Sequence, residues 1–219
     1  MIPIRDMNPS RTFPFFTILI IMFNSGIFIL EFIYGKPDLI TREFGLVPSD
    51  FSIIFSDNLS IAPIRNIFTS MFLHGGLLHI LGNMWFLWVF GNNVEDAMGH
   101  LKFIIFYILC GIGAAMTQTI AAPNSQIPMV GASGAISGVL GAYLFLYPRA
   151  IVLTAVPIFF FIKLLYIPAA IFITLWFIFQ ILSSINMNPS GGGVAWFAHI
   201  GGFISGIVFL KAFYTRRKR

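Results

Sequence analysis

Charged residues are scarce in this sequence. They make up 10% of its 219 residues, whereas 58% of the residues are hydrophobic and 26 are phenylalanine. A domain of this length cannot enclose so much apolar surface, and the mean hydropathy of +0.89 is far above that of a soluble domain. The composition therefore excludes a soluble globular protein and indicates an all-α polytopic membrane protein, with residues 1–219 forming a single membrane domain.

Other chemical groups are missing as well. Cys110 is the single cysteine, so no internal disulfide can form. No acidic residue follows Asp96, so the second half of the chain has no carboxylate to complete a Ser–His–Asp triad. There is no HExxH motif, and a metal held by His74, His79 and His199 would have no acidic ligand nearby. The sequence thus predicts neither a metal nor a cofactor, and the three-histidine metal site is the weaker alternative.

Six apolar segments are predicted to cross the membrane, each close to the roughly 20 residues that a bilayer requires. Residues 151–166 are also apolar but are interrupted by Pro157 and Lys163, so they are predicted to form an interfacial loop. Residues 35–76 form a long first outer loop, which either has a function or shields the bundle. No internal repeat is evident, which disfavours an inverted-repeat transporter. The predicted spans are about 13–34, 77–93, 102–121, 131–148, 167–183 and 195–214.

The distribution of Lys and Arg predicts the orientation of these spans. Ten of the thirteen basic residues lie on the side that holds both termini, and three lie on the other side. By the positive-inside rule both termini are cytoplasmic, and a plasma (inner) membrane location is expected. The net charge of +5 comes largely from the tail 215–219. In a membrane protein such a basic tail is typical of an anchor beside the lipid bilayer, so no nucleic-acid partner is expected.

Polar side chains inside the predicted spans suggest where the chemistry takes place. His79, Ser133 and His199 each lie within the first turn or two of a span that runs inward, so they have similar depths below the outer surface. A serine and a histidine base are the minimum for acyl transfer through a covalent intermediate. His79 and Asn83 share a helix face, and together with the Ser133 amide they could hold a developing oxyanion.

Structural alternatives exist for each of these residues. A serine in a membrane helix often packs or bonds to the carbonyl four residues earlier, and a buried histidine can be purely structural. Gly202 and Gly206, spaced G-x-x-x-G, favour close helix contacts, which a Ser–His hydrogen bond also requires. Ser133 and Ser137 share a helix face, but Ser133 is nearer the outer surface and its amide lies in the first turn. Ser133 is therefore the predicted nucleophile.

Several motifs resemble those of the rhomboid intramembrane serine proteases, in order and in spacing. The resemblance covers the chain from about residue 60 to its end, and it implies a six-transmembrane-helix bundle around a water-filled cavity that opens to the outside. The matching motifs are HGGLLHILGN (74–83), GNNVED (91–96), GASG (131–134) and AHIGG (198–202).

The resemblance implies that Ser133 is the nucleophile and His199 the general base. It implies that His79 and Asn83 donate hydrogen bonds to the oxyanion. The expected activity is that of a serine endopeptidase that uses a Ser–His dyad to cleave peptide bonds in or near the transmembrane segments of membrane proteins. A catalytically inactive rhomboid-like protein that binds membrane clients is the alternative, and a small-molecule transporter is a third possibility. No oligomeric state is predicted.

The resemblance also implies roles for residues outside the dyad. His74 is similar to a structural histidine below the first outer loop, and Phe172 and Trp176, spaced F-x-x-x-W, are similar to aromatic gate positions that face the substrate. The sequence departs from the family pattern at two places, one in the first outer loop and one beside the predicted base His199. The first outer loop has no Trp-Arg pair, and Ser137 stands where the family often has an aromatic residue packed on the catalytic histidine.

Overall fold

The computed structural model describes residues 1–35, 37–55, 60–185 and 193–214, so the basic tail 215–219 lies outside the described residues. Within these ranges the protein is mostly helical, with eight α-helices and one small sheet. The helices are α1 (Phe15–Tyr34), α2 (Pro37–Phe44), α3 (Ala62–Thr69), α4 (Leu77–Met98), α5 (His100–Ala121), α6 (Ser133–Leu146), α7 (Ala169–Ile185) and α8 (Trp196–Phe213). The strands are β1 (Ile2–Asp6), β2 (Ile151–Ile158) and β3 (Phe161–Pro168).

Three helices, α1, α5 and α8, are long and apolar enough to cross a bilayer. A fourth span results if α4 and the preceding helical stretch Ala62–Phe72, which consists of α3 and a 3₁₀ turn, are counted as one span with a bend of 77°. The helices α6 and α7 are apolar but shorter than α1, α5 and α8. Length and composition therefore support three or four spans among the described residues, and the count of six stays a prediction.

The core of the bundle is built around α6, whose residues from Gly134 to Tyr143 are all buried. Small residues on α6 and α8 let the two helix backbones approach each other closely. A Cβ atom added to Gly202 would overlap the carbonyl of Gly134, and one added to Gly206 would overlap the carbonyl of Gly138. This packing brings the first turn of α6 beside the first turn of α8.

A buried carboxylate joins the first helix to the bundle. Glu95, near the end of α4, accepts hydrogen bonds from the backbone N–H groups of Phe16 and Thr17 and from the Thr17 hydroxyl. Helix α1 follows Pro14, which provides no capping side chain, so Glu95 supplies the acceptor that the unpaired N–H groups of the first turn need. The imidazole of His100 contacts Glu95 from the other side at 2.6 Å.

The segment between α1 and α4 is held by polar contacts between α2 and α3. The Arg65 guanidinium lies 4.7 Å from the centre of the Phe44 ring and donates to the Glu43 carbonyl. Asn66 and Thr69 donate to the carbonyls of Gly45 and Phe44 at 2.8 and 2.6 Å. These contacts hold α3 against the end of α2.

The three-stranded sheet was not predicted, because the sequence indicated an all-α protein with an interfacial loop at 151–166. Strands β2 and β3 form an antiparallel hairpin, and β1 pairs with β2 on the other side. Apolar residues occupy both faces of the hairpin, so it shows no alternation of polar and apolar residues. Pro157 lies beyond Ala155, the last β2 residue that pairs with β1, where its missing N–H breaks no ladder bond to β1.

Polar contacts from the first strand tie the sheet to the bundle. The Asp6 carboxylate accepts hydrogen bonds from the Tyr143 hydroxyl and the Asn93 amide, both at 2.7 Å. Desolvation by burial raises the pKa of the Asp6 carboxyl above its ordinary value. The Trp85 indole N–H donates to the Pro3 carbonyl. Because Trp85 and Asn93 lie on α4, the N-terminal strand is fastened along that helix.

Candidate active site

Ser133 and His199 meet at the α6–α8 contact. Ser133 is the first residue of α6, and His199 lies in the first turn of α8. The Ser133 hydroxyl oxygen is 2.8 Å from the Nε2 atom of the His199 imidazole. The glycine packing of the two helices thus places a hydroxyl and an imidazole, 66 positions apart in the sequence, within hydrogen-bond distance.

The second ring nitrogen of His199 contacts a residue that sequence reasoning missed. Nδ1 lies 2.7 Å from the Oε1 atom of Gln180, a buried amide on α7. Two indole rings flank the imidazole, Trp176 of α7 at 6.1 Å and Trp196 of α8 at 6.0 Å between ring centres. One amide and two aromatic rings thus contact the His199 imidazole, and Ser137 is not among these contacts. Gln180 was detectable in the sequence as a lone amide within an apolar segment.

His79 and Asn83 lie one turn apart on α4 and face the backbone at Gly131. A Cβ atom added to Gly131 would be 2.6 Å from His79 Nε2 and 3.5 Å from Asn83 Nδ2. Gly131 has a φ of +124°, a conformation that favours glycine, and its N–H donates to the Ser70 carbonyl. The absence of a side chain at Gly131 therefore leaves the space into which both donor groups point.

Asn83 is unusual because its Nδ2 atom is buried without a hydrogen-bond partner in the described ranges. A buried amide N–H without an acceptor is unfavourable, and in native proteins such a group needs an explanation. The backbone N–H groups of Ser133, Gly134 and Ala135 precede the first intrahelical bond of α6, which runs from Ile136 to Ala132. Donors from α4 and α6 are thus available for an acceptor that a ligand would bring.

These groups share one cavity of about 640 Å³. The residues that line it include Ser133, His199, His79, Asn83 and Gly131. Its wall near residues 127–131 is held in place by a pair of backbone hydrogen bonds between Leu46 and Met129, at 2.7 and 3.0 Å. A hydroxyl in contact with an imidazole, together with unpaired N–H groups, therefore lines a space large enough for a short stretch of polypeptide.

Ser137 takes no part in this arrangement. Its hydroxyl donates to the Ser133 carbonyl at 2.7 Å, and its side chain is buried and does not line the cavity. This is the bond to the carbonyl four residues earlier that membrane-helix serines commonly make.

The two predicted gate residues differ in their surroundings. Phe172 is buried between α7 and α4, with its ring centre 6.0 Å from that of Phe90 and 6.3 Å from that of Phe86. Trp176 is half-buried and lies beside His199 and Phe203. Neither residue lines the cavity, so their predicted role as a substrate entrance requires α7 to move away from α4.

His74 is buried next to the site, and its ring meets that of His79 edge-on, with 5.2 Å between ring centres. Neither of its ring nitrogens has a hydrogen-bond partner in the part of the chain that the structure describes. Among the same residues no group of three or more His, Cys, Asp or Glu side chains is placed to hold a metal ion.

Comparisons with known proteins place the chain in a family. The Rhomboid domain family matches residues 63–216. RHOMBOID-like protein 1 of Arabidopsis thaliana is 33% identical over 153 residues, which are 70% of this chain and 35% of that protein. Rhomboid protease GluP of Bacillus subtilis (strain 168) is 31% identical over 144 residues, 64% of this chain and 25% of that protein.

Rhomboid protein 1, mitochondrial, of Saccharomyces cerevisiae (strain ATCC 204508 / S288c) is 29% identical over 168 residues, 70% of this chain and 44% of that protein. The chain thus spans between a quarter and just under half of the length of these three curated relatives. Because the Rhomboid domain covers well over half of the sequence, this integral, multi-pass membrane protein belongs to the rhomboid family.

Proposed function

We propose that the protein is an intramembrane serine endopeptidase that hydrolyses peptide bonds in or near the transmembrane segments of other membrane proteins. The observation that carries the proposal is the 2.8 Å contact between Ser133 Oγ and His199 Nε2 at the wall of the cavity. The unpartnered Asn83 amide in the same cavity supports it further, because acyl transfer needs a donor where negative charge develops.

In the proposed mechanism Ser133 forms a covalent intermediate. His199 Nε2 takes the hydroxyl proton as Oγ attacks the carbonyl carbon of the scissile bond. The oxyanion accepts hydrogen bonds from His79, Asn83 and the Ser133 amide. The protonated imidazole then gives its proton to the leaving amine, and the peptide C–N bond breaks. Water then attacks the acyl carbon as His199 takes its proton. The imidazolium returns this proton to Ser133 Oγ as the ester C–O bond breaks, which releases the new carboxyl terminus and restores the serine hydroxyl.

The membrane setting limits which substrates can react. A regular helix keeps its carbonyls in intrahelical hydrogen bonds, so a cleavable segment must unwind near the cavity. We place the cavity toward the outer surface, with six spans, both termini in the cytoplasm and the protein in the plasma (inner) membrane. The excess of Lys and Arg on the side of the termini supports this orientation.

The alternative is a rhomboid-like protein that binds membrane clients without cleaving them. Such a protein has no need of a serine and a histidine in hydrogen-bond contact, whereas this chain retains both. A fluorophosphonate probe, which reacts with activated serines, separates the two functions. We expect the wild-type protein in detergent to be labelled and Ser133→Ala to remain unlabelled. Absence of both labelling and cleavage in a folded wild-type protein would support the binding function instead.

A further inference from the structure

Gln180 places an amide in contact with His199 inside a predominantly apolar helix. Its side chain is 3% exposed, and its Oε1 atom is 2.7 Å from Nδ1, the ring nitrogen that faces away from Ser133. A buried amide in a membrane helix is unfavourable unless its groups are paired. The orientation of the Gln180 side chain is therefore determined by its hydrogen bonds.

The second hydrogen bond of Gln180 fixes which way the amide faces. Nε2 donates to the Trp176 carbonyl at 3.2 Å. A backbone carbonyl can only accept, so the NH₂ group must face Trp176 and the amide oxygen must face His199. The Nδ1 atom of His199 must then carry the proton, since an oxygen acceptor has no hydrogen to share with an unprotonated nitrogen. In the neutral imidazole this leaves the lone pair on Nε2, which faces the Ser133 hydroxyl.

From this geometry we propose that Gln180 is a positioning residue that holds His199 in the tautomer and orientation needed to deprotonate Ser133. Together with Ser133 and His199 it forms a triad whose third member is a neutral amide instead of a carboxylate. The inference rests on the proposed protease function. A neutral third member avoids placing a charge inside the membrane, where no acid is available after Asp96.

Gln180 could instead act only as a tie between α7 and α8, and Gln118 provides a matched control for that possibility. Gln118, on α5, is also buried, and its Oε1 atom accepts the backbone N–H of Ala198 at 3.1 Å. Both glutamines thus bond α8 from a neighbouring helix, but Gln180 alone contacts an imidazole nitrogen. If both hydrogen bonds are purely structural, substitution of either glutamine should have the same effect on labelling.

The variants Gln180→Met, Gln180→Glu and Gln118→Met distinguish these roles in the full-length protein. Methionine keeps the length of the side chain but offers no oxygen to Nδ1. A glutamic acid presents an oxygen to Nδ1 whether it is ionised or protonated, so Gln180→Glu is expected to rescue the function. The readouts are the melting temperature, the maximal rate and half-saturating concentration of fluorophosphonate labelling, and ¹⁵N NMR of labelled histidine.

We expect Gln180→Met to lower the maximal labelling rate by about 10-fold or more with little change in half-saturation, because a wrong tautomer impairs the base and not binding. Gln180→Glu and Gln118→Met should stay within about threefold of wild type. In the wild-type NMR spectrum His199 should carry its proton on Nδ1. A wild-type His199 protonated on Nε2, or a Gln180→Met variant that labels at the wild-type rate, would overturn the inference. If the folded wild-type protein is not labelled, the proposed protease function is wrong, whereas the NMR measurement still determines the tautomer of His199.

Discussion

Ser137 donates its hydroxyl proton to the carbonyl of Ser133, one turn earlier on α6, at 2.7 Å. This bond engages the hydroxyl proton of Ser137, whose side chain does not line the cavity, whereas the Ser133 hydroxyl faces His199. Two serines on one helix face therefore have different chemical environments.

Substitution of each serine by alanine is expected to have a different effect on activity. Ser133→Ala should abolish cleavage and fluorophosphonate labelling, because the nucleophile is lost. Ser137→Ala should keep most of both, since it removes only a bond to a helix carbonyl. Mass spectrometry of the labelled wild-type protein is an independent check. An adduct on Ser137 with Ser133 unmodified would contradict the assignment.

His199→Ala is expected to reduce cleavage to background while the protein stays folded in detergent, because no other imidazole in the described ranges contacts the Ser133 hydroxyl. His100→Ala is a suitable control, because His100 pairs with Glu95 and does not line the cavity. The measurement is the cleavage rate of a transmembrane substrate at neutral pH, together with the melting temperature. Substantial activity of a folded His199→Ala variant would argue against the Ser–His dyad.

The donors on α4 are expected to affect the rate more than folding. Loss of one oxyanion donor lowers kcat by ~10²–10³ in soluble enzymes, and here several donors share the charge. Asn83→Ala and His79→Ala should therefore slow turnover without fully blocking probe labelling. Because the Asn83 Nδ2 atom has no partner in the described ranges, its removal should leave the melting temperature nearly unchanged. Variants that turn over a well-cleaved substrate at the wild-type kcat would remove these residues from the site.

The aromatic residues of α7 should control access. With Phe172 and Trp176 both changed to Ala, α7 loses the ring contacts of Phe172 with α4 and those of Trp176 with α8, and we expect equal or faster cleavage per folded molecule. The same change should lower stability, since truncation of one buried Phe costs about 3–5 kcal/mol in soluble cores. The melting temperature should thus fall while the cleavage rate per folded molecule stays equal or rises. Complete inactivation of a folded double mutant would indicate that the two residues shape the catalytic cavity.

The α6–α8 contact should be sensitive to a single methyl group. Gly202→Ala introduces a Cβ against the Gly134 carbonyl, so the helices must separate and the Ser133–His199 distance must grow. Overpacking of this kind costs about 1–3 kcal/mol, and labelling should fall with the melting temperature. Gly26→Ala on α1 is the control, because a Cβ there has no neighbour within 4 Å. Wild-type labelling by Gly202→Ala would show that this approach of the helices is not required.

Much of this protein is determined by local sequence. A membrane helix must satisfy its backbone hydrogen bonds internally, so its presence can be recognised from a run of apolar residues without knowledge of its neighbours. Polar groups in such runs are conspicuous, and for that reason Ser133, His199, His79 and Asn83 could be proposed as site residues from the sequence. Their similar depth followed from helix rise and span direction. The structure brings these four side chains to one cavity.

The tertiary structure alone decided the contacts that depend on which segments meet. The sheet could not be predicted, because β1 pairs with a strand about 150 residues away and the hairpin is apolar on both faces. Gln180 was visible as a polar residue, but its partner is set by the packing of α7 against α8. The same holds for Arg65, whose stacking on Phe44 depends on how α3 folds back on α2. Hydropathy and helix periodicity describe each segment alone, whereas these hydrogen bonds and ring contacts arise from the relative positions of two segments.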